Sequence, residues 1–584
     1  MSHSQPIPRI IIGSVLLLAI TPAASIAQSP GGQKEQVSPI VRQMPKVSVT
    51  AFPSPVESLE ITPMGEGKAK IVLQLQTGAK LPAEAGRRLE QLKARSIGEG
   101  RFQAETSFDF EAFAQEQQRR KDLARRGAMI PVFTGRAMVG LQQVQFIEPA
   151  AIKEAVRLKR PFRIPIGVLG GVPITVDPSR ELMITDLSVV EDPTRTFDPC
   201  TGAGSPMGAW TFGKLMTDMA NGTVDPAKMV EDWLKLWTAD QTVNSFVVPN
   251  RSTGINNLLL STWKRTGSGE LDLSQAPMRL LAIVNRIDLR QNVFYGGGSA
   301  GEGRFVFGVL DPNTCSSLPQ FTVILEYGVP KSGCAAIHAW AQQWHALGSI
   351  VLGTPAFNTA LQNITDVFAG PNANPAKPNG SALDQLRTDE VALAFPWELR
   401  EFHLDASTHE FDEATVKQTP APSFNGGSTL TNYINANQSA ILAGTFVVPD
   451  DFPGTSPFLG ANAPNGPPTV FWNGTPAAAS NDARQQFSVN TCNGCHGGET
   501  QTPFLQIHPR AAGTVAQLSL FLLGNGTLTS PNTITVPDPV VTSTIRSFGD
   551  LLRRQQDLDS LLGTTCKTIG PLQEAIFKPL DMTD

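Results

Sequence analysis

The first 27 residues decide which chemistry is open to the rest of the chain. Arg9 precedes an apolar run over residues 10–20, and Pro22 and the small-x-small triplet Ser25-Ile26-Ala27 follow it. The run is about half of the ~20 apolar residues that a bilayer-spanning helix needs. Residues 1–27 therefore read as a signal peptide, with the mature chain starting near Gln28; the competing reading is an uncleaved N-terminal anchor. The expected localisation is periplasmic or secreted, an oxidising setting in which disulfides persist. Six cysteines are present, the close pair Cys492 and Cys495 and four scattered ones, Cys200, Cys315, Cys334 and Cys566. Two disulfides are expected among those four, in any of three connectivities, and the sequence offers one preference, the short loop from Cys315 to Cys334.

A length of 584 residues corresponds to roughly three or four domains at ~150 residues each. With 41% hydrophobic residues the chain can build real cores. A net charge of −5 without a basic stripe excludes nucleic acid as the expected partner. No later stretch is apolar enough to span a bilayer, so no stable membrane span is expected after signal cleavage.

Residues 28–55, rich in Pro, Gly and Gln, read as a flexible linker. Residues 56–185 read as an N-terminal α/β domain, with a strand over 69–75 and helices over 82–96 and 108–126. The second helix gathers Arg119, Arg120, Lys121, Arg125 and Arg126 at its end, a solvated face in preference to a site for an acidic partner. Residues 186–425 read as a middle α/β domain, with a helix over 226–237 and buried strands over 280–284 and 321–325. Polar groups stand at the expected strand ends: Asn285, Arg286 and Asp288, then Glu302 and Arg304. They suit a site or structural ion pairs equally. The glycine-rich stretch 296–301 lacks both the phosphate-loop and the dinucleotide spacing and reads as a hairpin or mobile loop. Residues 334–347 are helical, which puts His338 and His345 on one face two turns apart; buried or interface histidines are the preferred reading over a metal pair. His403 and His409 fall in a strand-loop region without a role. No nucleophile elbow, zinc-protease helix or kinase set is present, which leaves enzyme activity undecided.

Residues 426–480 read as a loop-rich linker. A helical pattern with Asn481 as N-cap then leads into Thr491-Cys492-Asn493-Gly494-Cys495-His496. Two thiols three positions apart reach the two vinyl groups of one haem, and the next residue sets an imidazole on the iron. In this segment the chain resembles c-type cytochromes, and the resemblance covers only the CxxCH module, placed at residues 481–584. It implies one covalent haem c, with Cys492 and Cys495 as thioether anchors and His496 as proximal ligand. Three other readings compete: a thioredoxin-like redox pair, a local disulfide, and a zinc site from Cys492, Cys495 and His508.

For the sixth iron position the preferred residue is His508, twelve residues beyond His496, because the only methionine downstream is Met582; a surface or propionate-contacting histidine is the alternative. Arg510 is the candidate partner of a haem propionate, against a solvated arginine. Phe487, Phe504, Leu505, Ile507 and the run 518–523 offer a pocket lining. Ile545, Phe548, Leu551, Leu552, Leu558, Leu561 and Leu562 form a final helix read as core.

The expected fold is thus multidomain: mixed α/β N-terminal and middle regions with a mostly α-helical cytochrome c-like C-terminal module. The expected function is one-electron transfer or redox sensing through a single haem, with a redox partner protein or small-molecule substrate that the sequence does not identify. The rivals are a haem enzyme, a peroxidase or oxygenase with an open iron position, and a non-haem secreted binding protein.

Overall fold

A computed structural model describes residues 56–77, 89–90, 93–164, 175–290, 299–315, 319–466, 472–563 and 565–568. The expected signal peptide and linker, most of the helix over 82–96, glycines 296–298 and Met582 lie outside the described residues. In Val56–Gly65 (β1) and Lys68–Leu75 (β2) alternate side chains are buried, Leu59, Ile61, Ile71 and Leu73 among them. That is the pattern of an antiparallel sheet with one covered face. Arg101–Ser107 (β3) extends the sheet beyond β2, Met129–Thr134 (β4) and Ala137–Gln143 (β5) form a separate hairpin, and Phe162–Ile164 (β6) pairs with β1. The covering helices are Phe110–Arg125 (α1), capped by the Asp109 carboxylate, and Pro149–Leu158 (α2), which supply Phe113 and Ile152 to the core. The basic end of α1 is not wholly solvated: Arg120 is buried against Glu116 at 3.2 Å, and Lys121 meets Glu148 at 2.5 Å.

A larger antiparallel sheet follows, of Met183–Ile184 (β7), Met278–Arg286 (β8), Glu302–Val309 (β9), Phe321–Gly328 (β10), Leu383–Glu390 (β11), Trp397–Leu404 (β12) and Phe411–Ala414 (β13), paired in that order. Ala463–Asn465 joins it at β12. One face is aromatic and aliphatic. It packs on Phe212–Ala220 (α3), Pro226–Lys235 (α4), Cys334–Leu347 (α5) and Pro355–Ala369 (α6), through contacts such as Trp233 with Phe402 at 6.0 Å and Phe212 with Phe307 at 5.7 Å. The period of two along each strand sends the intervening residues to the opposite face. There stand Val284 and Arg286 on β8, Glu302, Arg304 and Val306 on β9, Thr322, Ile324 and Glu326 on β10, and Gln385, Arg387 and Asp389 on β11. That face is polar, yet every one of its Arg, Glu and Asp side chains just named is less than 5% exposed.

What buries it is the C-terminal segment: Asn481–Val489 (α7), Cys492–Cys495 (α8), Leu520–Leu523 (α9), Ile534–Pro537 (β14), Ile545–Phe548 (β15) and Asp550–Leu562 (α10). This corrects the expected mostly α-helical cytochrome c-like module. Two of its four helices are single turns, and β14 and β15 complete a four-stranded sheet with the β4–β5 hairpin. The whole is mixed α/β built on antiparallel sheets. Ile545 and Phe548, expected in the final helix, belong to β15, and the helix begins at Asp550; the N-cap of α7 is Ser480 rather than Asn481.

The disulfides join Cys200 to Cys315 and Cys334 to Cys566. Cys315 follows β9 and Cys334 follows β10, so the eight residues of β10 hold them at opposite ends of the sheet, about 26 Å apart at ~3.3 Å per residue. The shortest loop is therefore not the one that closes. Among the described residues no helix is long and apolar enough to cross a membrane.

Candidate functional site

The CxxCH turn is held by side chains from distant parts of the chain. Thr491 caps α8 by accepting from Gly494 N at 3.1 Å, and Trp472 Nε1 donates to Thr491 Oγ1 and Asn493 Oδ1 at 2.8 and 3.0 Å. Asn465 Nδ2 donates to the carbonyls of Asn493 and His496, and Cys492 N donates to Thr419 Oγ1 at 3.0 Å. Position 494 has to be glycine, because a Cβ there would lie 1.9 Å from the Ser488 carbonyl oxygen.

The turn aims its three reactive side chains inward. Cys492 packs among Leu399, Val416, Phe504 and Leu505. Cys495 is fully buried, and its Sγ receives Arg136 Nη1 at 3.0 Å from the tip of the β4–β5 hairpin and Gln506 Nε2 at 3.5 Å. His496 is 1% exposed, and its Nδ1 lies 2.6 Å from the Phe504 carbonyl oxygen. A carbonyl only accepts, so Nδ1 carries the proton and the lone pair resides on Nε2. That is the tautomer in which histidine ligates a metal through Nε2, oriented by a backbone acceptor behind it.

His496 faces a cavity between this segment and the polar face of the large sheet. Met183, Val284, Val306, Ile324, Ile507 and Leu522 form its apolar wall. Arg304, Thr322, Asp389, Gln506 and Arg554 form the polar part. A linked set of buried charges lies behind them. Arg304 meets Glu302 at 2.7 Å and Glu326 at 3.1 Å, Arg554 meets Asp550 at 2.6 Å, and Arg553 bridges Asp550 at 2.9 Å and Asp288 at 3.0 Å. Arg286 completes the set against Asp288 at 2.9 Å. Burial alone would raise the Asp288 carboxyl, but Arg286, Arg553 and Arg554 outweigh it and hold the group well below the usual carboxylate range. Glu302 goes the other way: burial outweighs Arg304, Glu326 and Asp384 add repulsion, and its carboxyl is pushed up to about 7. Burial and the neighbouring Arg286 bring Arg554 down to about 10.

Of the expected site residues only His496 lines the cavity; Cys492 and Cys495 are buried in the turn beside it, and His508 and Arg510 stand apart from it. His508 is half-buried, with burial lowering its imidazole, and does not line the cavity. Arg510 donates to the carbonyls of Leu280 and Val190 and pairs with Glu191, a structural clamp between the C-terminal segment and β8. Of the expected pocket lining, Ile507 and Leu522 face the cavity, Phe504 and Leu505 pack on Cys492, and Phe487 belongs to a separate cluster with Tyr433 and Trp472. Met183, Asp389 and Arg554 were missed. Asp389 had a legible signal, the alternation of Gln385, Arg387 and Asp389 with apolar or small residues along one strand; Met183 had none, being more than 300 residues upstream of the motif.

Cys492, Cys495 and His496 are the residue types a c-type haem would use, and of the three only His496 lines the cavity. Among the described residues the one group of three Cys, His or carboxylate donors within 4.8 Å of one another is Cys334, His338 and Cys566, so Cys492, Cys495 and His496 do not converge on a point as a zinc site would. The space sets a condition: the cavity beside His496 measures about 40 Å³, room for about three waters. A porphyrin is far larger than that space. Comparison with protein-family models, curated proteins and solved structures finds no match.

Proposed function

We propose that the chain is an exported redox protein, periplasmic or secreted, that carries one c-type haem on Cys492 and Cys495 with His496 as axial ligand, and serves one-electron transfer or redox sensing. The observation that carries this reading is the state of His496: buried, Nδ1 tied to the Phe504 carbonyl, lining a cavity, one residue beyond a CxxC turn. When bound, the haem supplies an iron that cycles between ferric and ferrous forms. The chain's own groups do the rest. The Phe504 carbonyl fixes the imidazole tautomer, and Met183 and Gln506 stand with His496 at the cavity wall as the residues that would meet a bound group there.

A second reading has an observation of its own. The 40 Å³ cavity and the Arg136 contact to Cys495 favour a dithiol–disulfide pair without haem, the Arg136 cation stabilising a Cys495 thiolate. The test is a haem-stained denaturing gel and a pyridine haemochrome spectrum of the protein made in a host with c-type haem maturation, beside Cys492→Ala/Cys495→Ala. One covalent haem per chain, lost in the double variant, is the expected result; a colourless wild type with a redox-active Cys492–Cys495 disulfide refutes the haem reading and selects the second.

A further inference from the structure

Two disulfides staple this chain, and among the described residues one of them has a third metal-binding side chain beside it. Cys334 is the first residue of α5 and His338 follows it by four, so both project from one face of that helix. Cys566, just beyond the end of α10, comes to the same face, and the donor atoms of Cys334, His338 and Cys566 all lie within 4.8 Å of one another. The structure thereby separates the two histidines that the sequence places on one helix face: His345 turns to Glu181 at 2.9 Å, while His338 stays with the sulfurs. No such donor joins Cys200 and Cys315 among the described residues.

We propose that Cys334, His338 and Cys566 form a redox-gated site for a thiophilic d10 cation, zinc(II) in the first instance. The disulfide is the closed state and the dithiol the metal-binding state. This inference does not depend on the haem reading. Zinc–sulfur bonds of about 2.3 Å and zinc–nitrogen bonds of about 2.0 Å in tetrahedral geometry put donors roughly 3.5–3.8 Å apart. Atoms already within 4.8 Å reach that spacing by shifts on the order of 1 Å once the sulfur–sulfur bond is broken. All three residues are half-buried, which leaves the pair open to a reductant and to the ion. Two thiolates and a neutral imidazole neutralise the dication and leave a fourth position for water or a ligand.

The chemistry balances with a dithiol reductant. The disulfide takes two electrons and two protons from the dithiol, which leaves as a disulfide. Zinc(II) then displaces the two thiol protons, with no further change of oxidation state. Binding of the metal to the reduced form alone opposes reoxidation, so the site couples metal supply to the covalent tie between α5 and α10.

The full-length protein tests this. Oxidised and phosphine-reduced samples are titrated anaerobically with zinc against a chromogenic chelator, and cadmium is used to read the thiolate charge-transfer band. The expected result is one zinc bound only after reduction, retained in Cys492→Ala/Cys495→Ala and in Cys200→Ser/Cys315→Ser, and weakened at least tenfold in His338→Ala. His338→Ala keeps the disulfide, so an unchanged denaturation midpoint in its oxidised form certifies the fold even if a Cys334 variant fails to accumulate. Equal zinc affinity in reduced wild type and His338→Ala, or binding that disappears with Cys492 and Cys495, overturns the proposal.

Discussion

Asp288→Asn probes the buried charges behind the cavity with a change of almost no volume. Asp288 is 1% exposed and accepts from Arg286 Nε at 2.9 Å, Arg286 Nη2 at 3.1 Å and Arg553 Nη2 at 3.0 Å. At an effective dielectric of 20 and about 4 Å between charge centres, each arginine contributes about 4 kcal/mol of attraction, so about 8 kcal/mol is lost. Removing the buried carboxylate also removes its desolvation cost of several kcal/mol. The net destabilisation is about 3–5 kcal/mol, the range for leaving a buried cation without its partner. The assay is urea denaturation followed by tryptophan fluorescence, since Trp233 and Trp237 are fully buried on the other face of the same sheet. Adding Arg553→Gln removes one of the stranded cations and recovers part of the loss, so the double variant is more stable than the sum of the single changes. A loss under about 1 kcal/mol, or strict additivity, would refute the assignment of this cluster as an interdependent set.

Stability is expected to fall as pH rises from about 5 to about 8. Arg251 and Arg400 face three carboxylates, Glu390, Glu398 and Glu413. Burial, opposed by Arg400 and reinforced by neighbouring carboxylates, pushes Glu390 up to about 7 and Glu413 up to about 8, and Glu302 stands near 7. Between the unfolded value of about 4.3 and these values the native state holds more protons, so raising pH removes stability, at least about 3 kcal/mol at about 1.4 kcal/mol per tenfold change in proton affinity. Melting curves at constant ionic strength read this, and Glu413→Gln should flatten the profile; a flat wild-type profile contradicts it. Removing either disulfide should cost about 5 kcal/mol for the separation of 115 and about 5.5 for 232 in the loop-entropy account, measured by denaturation of Cys200→Ser/Cys315→Ser and Cys334→Ser/Cys566→Ser. Gly494→Ala should destabilise by about 1–3 kcal/mol through the clash with the Ser488 carbonyl, read as a lowered midpoint; no change means the turn relaxes freely.

Local pattern carried much of the fold. The apolar runs at 280–284 and 321–325 are the cores of β8 and β10, and the helix expected over 334–347 is α5 residue for residue. The polar groups singled out at strand ends, Arg286, Asp288, Glu302 and Arg304, are the charges behind the cavity. What sequence could not supply was pairing over long separations. Ile545 and Phe548 satisfy a helical period and still form a strand, because β5 and β14 offer edges that a short isolated helix would leave open. The cytochrome-like fold failed for the same reason. The CxxCH turn is local, whereas its surroundings come from Arg136, Thr419, Asn465 and Trp472, and no spacing near the motif announces them.

The sheet shared by β4, β5, β14 and β15 sets the order in which this chain is able to fold. Ala137 pairs with Phe548, and Arg136 reaches Cys495 across 359 residues. The contacts that finish the N-terminal hairpin thus come from more than 350 residues downstream, and closing so long a loop is slow. Until they arrive, the polar face of the large sheet lies open to solvent. A fragment ending before residue 481 would lack the cover of that face, so the CxxCH turn and the large sheet complete one another's burial.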